Sequence, residues 1–111
     1  MINWEDFEKV DMRVGTIIEV TDFPAAKKPS YKFKIDFASL GVKKSSAQIT
    51  LLYKNKESLL NRQVIAVVNF PPKQIADFMS EVLILGVLMD RKGEVVLLQP
   101  ERKVPNGLKI A

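Results

Sequence analysis

From Tyr31 to Phe37 the chain alternates without a break: Tyr31, Phe33, Ile35 and Phe37 are apolar, while Lys32, Lys34 and Asp36 between them are charged. Successive side chains of a β-strand point to opposite faces, so a period of two predicts a strand with one buried and one solvated face. A helix would scatter the same residues around its axis.

The flanking segments extend this pattern. Val10–Val20 is β-branched and partly alternating, and Gly15 within it predicts a bulge or tight bend. Phe23-Pro24 closes that strand, and a loop with Lys27-Lys28-Pro29 leads to Tyr31. Leu40-Gly41 turns the chain into Val42–Ile49, a partner strand, and Leu52, Leu59 and Leu60 predict helix or helical turns over Thr50–Asn61. Gln63–Phe70 is a nearly continuous apolar run, as expected of a strand buried on both faces. Pro71-Pro72 ends it, and Lys73–Met79 reads as a short connection. Glu81–Met89 and Val95–Leu98 are two further strands around a turn at Arg91–Glu94, and Pro105-Asn106-Gly107 marks a last turn. Ahead of all these, Asn3 can cap a short helix over Trp4–Lys9, with Asp6 as its capping-box partner. Such a helix must dock on something to persist.

Five or six short strands with a helix between the third and fourth predict an all-β fold, a five-stranded Greek-key OB-fold barrel with short helices. At 111 residues the chain has room for a single domain spanning 1–111. Its 47% hydrophobic content exceeds what so small a domain easily covers alone, which points to a homodimer.

Composition removes most chemistry. With no histidine and no cysteine, the commonest general base and the thiolate and imidazole metal ligands are missing. Ser45-Ser46 has no histidine to activate it, the glycines are scattered, and Glu5, Asp6, Glu8 and Asp11 suit a solvated helix face. The expectation is a binding protein with no catalytic residues, no metal and no cofactor. Charges interrupt every apolar stretch, so no membrane insertion is expected, and a cytoplasmic location follows.

Charge is unevenly placed. Residues 1–22 hold two cations against six carboxylates, whereas residues 27–56 hold eight lysines against Asp36 alone. A stretch this basic attracts polyanions, or it protects exposed strand edges.

The segments resemble the tRNA-binding-domain family over almost the whole chain. The resemblance is carried by Phe7 followed by Asp11-Met12-Arg13-Val14-Gly15-Thr16-Ile17, by Ala26–Phe33, and by Val42-Lys43-Lys44-Ser45-Ser46-Ala47-Gln48-Ile49. Gln63–Lys73, Ser80–Leu83, Val95–Pro100 and Val104–Ile110 complete it, and Val42–Ile49 is most like the family's export-related chaperone branch. The resemblance implies an OB-fold barrel and a homodimer that uses the N-terminal helix and C-terminal segments. It implies two ligand classes, unfolded or precursor polypeptides and, as the alternative, tRNA. Asn69 and Ser80 keep the family's polar positions, but Gln74 and Ala76 stand where basic residues are common. Asp77 replaces a glycine and Met79 a lysine, which weakens phosphate contact at that connection.

For polypeptides the candidate residues are Phe70, Pro71, Ile75, Phe78 and Met79, an adaptable apolar set. Phe70, Ile75 and Phe78 equally suit a barrel plug or a dimer core, and Pro71-Pro72 suits plain turn punctuation. For RNA, Arg13, Lys27, Lys28, Lys32, Lys34, Lys43, Lys44 and Lys73 would meet phosphates. Ser45, Ser46, Gln48, Asn69 and Ser80 would meet sugar hydroxyls or base edges. Tyr31 shares the phase of the buried set, which leaves Tyr53 as the freer candidate for stacking a base.

Overall fold

The computed structural model describes residues 1–111. Helix α1 (Trp4–Glu8) precedes nine short strands: β1 (Met12–Asp22), β2 (Tyr31–Asp36), β3 (Val42–Ala47), β4 (Gln63–Val67), β5 (Lys73–Ile75), β6 (Phe78–Ser80), β7 (Leu83–Ile84), β8 (Gly86–Leu88) and β9 (Val95–Leu97). Five of them form one antiparallel sheet in the order β3-β2-β1-β4-β7, while β5 pairs with β6 and β8 with β9. The sheet curls into a nearly closed five-stranded barrel, the OB-fold architecture expected from the strand pattern.

Closure runs between the outer strand β3 and the Ser80–Val82 segment that leads into the other outer strand, β7. Lys44 donates its backbone N–H to the Glu81 carboxylate at 2.9 Å, and Glu81 N–H returns to Lys44 O at 2.8 Å. Beside them the Ser45 hydroxyl donates to Val82 O at 2.7 Å, and the Ser46 N–H donates to Ser80 Oγ at 3.3 Å. These bonds satisfy backbone groups that an open edge would leave exposed.

The alternation in β2 holds: Tyr31, Phe33, Ile35 and Phe37 are all buried. They pack with Ile17, Ile49, Leu59, Val64, Ala66 and Val82 as one core. Full burial of each large side chain contributes roughly 1.5–3 kcal/mol.

Several local expectations are corrected. The register passes through Gly15 opposite Val64 without interruption, and the bulge lies between Ile17 and Glu19, leaving Ile18 exposed. Gly15 is required for space, because a Cβ there would sit 2.6 Å from Ile35 and 2.7 Å from Phe37. Of the helix or helical turns expected over Thr50–Asn61 the structure has the second, a single 3-10 turn, Lys56–Leu59, capped by Asn55. Leu59 alone of its leucines is buried. Strand β4 stops at Val67 rather than Phe70, with Ile65 half-buried. Lys73–Met79 is a hairpin, not a bare connection, and turns through Ala76 at φ 53°. Glu81–Met89 breaks into two short strands, and Leu83, Val87, Leu88 and Met89 are exposed.

At the N-terminus the capping box forms, Asn3 and Asp6 bonding each other's backbone N–H. Helix α1 buries none of its residues against this chain, and Trp4 stays 76% exposed. Residues 107–110 lie along the first half of β1 where β2 has already left it, through Gly107 N–H to Val14 O, Val14 N–H to Leu108 O and Ile110 N–H to Met12 O. No helix is long and apolar enough to cross a membrane.

The Gly15→Ala protein should lose about 1–3 kcal/mol of stability, since the methyl must displace two core side chains. Urea denaturation reads this as a lower midpoint at unchanged slope. A wild-type midpoint would show that the contact is not tight.

Candidate functional site

The register of β1, β2 and β3 builds two polar rows on the outside of the barrel: Thr21–Lys32–Ser46 and Glu19–Lys34–Lys44. All of these except Ser46 line a cleft of about 130 Å³ whose far wall is Phe78 from β6. The Phe78 ring meets the buried Phe23 edge-on, with centroids 5.5 Å apart. Lys32 Nζ lies 5.3 Å from the Phe23 centroid and 5.7 Å from that of Phe78, and Lys44 Nζ lies 5.4 Å from Phe78. All three contacts fall within cation–π range.

The three lysines of the cleft differ electrically. Lys34 is paired with Glu19 at 3.6 Å and is exposed, whereas Lys32 and Lys44 are half-buried with no carboxylate within 4.0 Å. Two full positive charges therefore stand in one cleft, held by rings rather than cancelled by anions.

Other candidates fall elsewhere. Lys27 and Lys28 are exposed on the loop after β1, Gln48 is exposed beyond β3, and Lys73 is exposed on β5. Lys43 stands opposite the inward Ile35 and is half-buried, while Ser46 is half-buried beside Lys32. Ser45 is wholly buried, its hydroxyl spent on the closure bond, so it cannot meet a ligand. Asn69 is committed at both ends: Oδ1 accepts from Asp11 N–H at 3.0 Å and Nδ2 donates to Lys9 O at 2.7 Å. Ser80 spends its hydroxyl oxygen on Ser46 N–H. Tyr53 is not free: its hydroxyl accepts from Leu97 N–H at 3.0 Å, and Arg62 covers its ring. Tyr31 is core, donating its hydroxyl to Tyr53 O at 2.6 Å.

Arg13 is also withdrawn from ligand contact. Its Nε donates to Asp11 at 2.6 Å and its Nη1 to Gly107 O at 3.1 Å, which clasps β1 to the C-terminal segment. The hydrogen bond from Arg13, reinforced by the Arg13 and Lys109 charges against a smaller burial effect, holds the Asp11 carboxyl below the usual carboxylate range. The same bond raises Arg13.

The apolar candidates divide by face. In the β5–β6 hairpin Ile75 pairs with Phe78 and Gln74 with Met79, so the two pairs occupy opposite faces. Phe78 and Ile75 are half-buried; Met79, Pro71 and Phe70 are exposed, Phe70 by 54%. A second apolar area lies at the termini, a hollow of about 460 Å³ lined by Ile2, Trp4, Phe7 and Ala111.

Phe23, Glu19 and Glu81 complete the cleft and its seam but escaped sequence reasoning. Phe23 had only the signal of a strand-ending residue, and nothing local marks Glu81 as a backbone acceptor.

A curled sheet that presents cations, rings and apolar side chains on its outer face is an OB-fold binding module. The family model described as a tRNA binding domain matches residues 12–109, and the chain belongs to that family. Its likeness to solved structures is of the CsaA type. The crystal structure of chaperone CsaA from Bacillus anthracis is 51% identical, covering 100% of this chain and 99% of that one, with TM-score 0.94. That of the CsaA chaperone protein from Picrophilus torridus is 54% identical over 100% of both, with TM-score 0.90. A methionine–tRNA ligase from Pyrococcus abyssi is 38% identical over 109 residues, 98% of this chain. The chain spans 14% of that ligase's length.

Asp11 ionised in the clasp favours the folded state at neutral pH, and this contribution disappears as pH falls through its lowered pKa. Asp11→Asn should therefore unfold at lower urea than wild type at neutral pH, with the gap narrowing as pH falls below the ordinary carboxylate range. A gap independent of pH would mean the carboxylate charge is not what Arg13 holds.

Proposed function

We propose that this chain is a non-enzymatic binding protein for unfolded or export-bound polypeptides, acting in the cytoplasm as a homodimer of one-domain subunits. The observation that carries this reading is the exposed apolar set Phe70, Pro71 and Met79 at the β4–β5 connection and the outer face of the β5–β6 hairpin. These side chains are spent on no core. A flexible methionine and an exposed aromatic ring are side chains that adapt to varied apolar segments. Whole-chain likeness to two structures described as CsaA chaperones supports it.

A second reading, a structured RNA of the tRNA class, is favoured by the un-neutralised pair Lys32 and Lys44 and by the family itself. Outer-face side chains of OB-fold strands are suited to nucleic-acid contact.

One side-by-side titration at two salt concentrations, against an unfolded protein and total tRNA, tests both. Phe70→Ser with Met79→Ser should weaken polypeptide binding by about tenfold or more, nearly independently of salt. Lys32→Glu with Lys44→Glu should weaken tRNA binding and lower its log–log salt slope by about two. Wild-type affinity for unfolded protein in the first variant would end the polypeptide reading.

The homodimer would bury the terminal hollow around Ile2, Trp4 and Phe7. Trp4→Ala should then shift light scattering from twice the 12.6 kDa chain mass towards the single chain. Equal masses for the two proteins would place the interface elsewhere.

A further inference from the structure

We infer that Phe78 is a positioning residue for RNA phosphate: backed by Phe23, its ring holds the Lys32 and Lys44 ammonium groups as one un-neutralised pair facing a single stretch of phosphodiester backbone. This rests on the RNA reading above and deepens it.

Two ammonium groups drawn to one small ring system repel each other, and something must hold them there. Carboxylates hold other lysines, Glu19 with Lys34 in the same cleft and Asp22 with Lys56 outside it. Each such pair also cancels the charge a phosphate would need. Lys32 and Lys44 are held differently: Lys32 Nζ lies 5.3 Å from the Phe23 centroid and 5.7 Å from that of Phe78, Lys44 Nζ lies 5.4 Å from Phe78, and neither ammonium has a carboxylate within 4.0 Å. An aromatic face attracts a cation through its quadrupole and leaves the net charge intact. It also restricts a long, flexible side chain before the ligand arrives, so less rotamer freedom is lost on binding.

The ring itself is fixed to the same strand that carries Lys44. Phe78 lies on β6, whose Ser80 accepts from Ser46 N–H, and Glu81 exchanges two hydrogen bonds with the Lys44 backbone. Ring and cation therefore move as one unit. With two ammonium groups over it and Phe23 at its edge, Phe78 is engaged inside the cleft and is no anchor for an apolar peptide.

The test compares Phe78→Leu and Phe78→Met, which keep apolar bulk but lose the ring, with Phe78→Tyr, which keeps it. Two readouts are taken on each folded protein: tRNA affinity at two salt concentrations, and the NMR shifts of the Lys32 and Lys44 ε-methylene protons. In wild type and Phe78→Tyr those protons should be displaced upfield by the ring current. In Phe78→Leu and Phe78→Met they should return towards ordinary lysine positions, while tRNA affinity falls by about three- to tenfold. Unmoved ε-methylene shifts in both ring-less variants would overturn the positioning. So would a loss of affinity in Phe78→Tyr equal to theirs, which would mark packing as the cause. A wild-type protein with no affinity for tRNA at either salt sinks the RNA reading and this inference with it. Wild-type binding matched by both ring-less variants sinks the inference alone.

Discussion

The seam between β3 and the Ser80–Val82 segment is the constraint on which the barrel and its outer cleft depend. A curled five-stranded sheet has two outer strands, and unless their backbone groups find partners the barrel is an open sheet with exposed edges. Here a side chain stands in for missing strand pairing: the Glu81 carboxylate accepts from Lys44 N–H, and the buried Ser45 hydroxyl reaches Val82 O. Neither bond repeats a regular ladder. Both involve residues that would look like surface chemistry in isolation, and Ser45 is lost to ligand contact because the seam uses it.

That seam also decides where the binding surfaces lie. By drawing β6 against β3 it places Phe78 over the outer rows of lysines and leaves Met79 on the opposite side of the hairpin. One short element thus separates a cationic cleft from an apolar outer face. The cationic and the apolar surface are consequently formed by adjacent but different side chains. Whole-chain likeness to CsaA structures and membership of the tRNA-binding-domain family fit a module with both kinds of surface.

The family's Asp11-Met12-Arg13-Val14-Gly15 run is explained by structure rather than by ligand. Arg13 is divided between Asp11 and Gly107 O, and Val14 is buried on the face opposite Gly15, outside the main core cluster. Gly15 leaves room for Ile35 and Phe37. Gly107 closes the clasp at φ +87°, a backbone region that disfavours side chains, and a Cβ there would lie 2.6 Å from Phe37 O. Asn69 belongs to the same framework, tying the end of β4 to Lys9 and Asp11.

The sequence by itself determined whatever rests on neighbouring residues. The period of two over Tyr31–Phe37 specifies a strand and its buried face, and Asn3 with Asp6 specifies a helix start. The lack of histidine and cysteine removes whole classes of chemistry. Such features are local, set by chain geometry over a few positions. Only the tertiary structure decided which polar side chains remain free. Arg13, Ser45, Asn69 and Tyr53 are chemically suited to a ligand, yet each already has a partner, with Ser45 and Val82 lying 37 positions apart. The lysine pair over Phe78 and Phe23 is likewise a product of chain return. No period or motif encodes contacts between distant segments, because they depend on how the barrel closes.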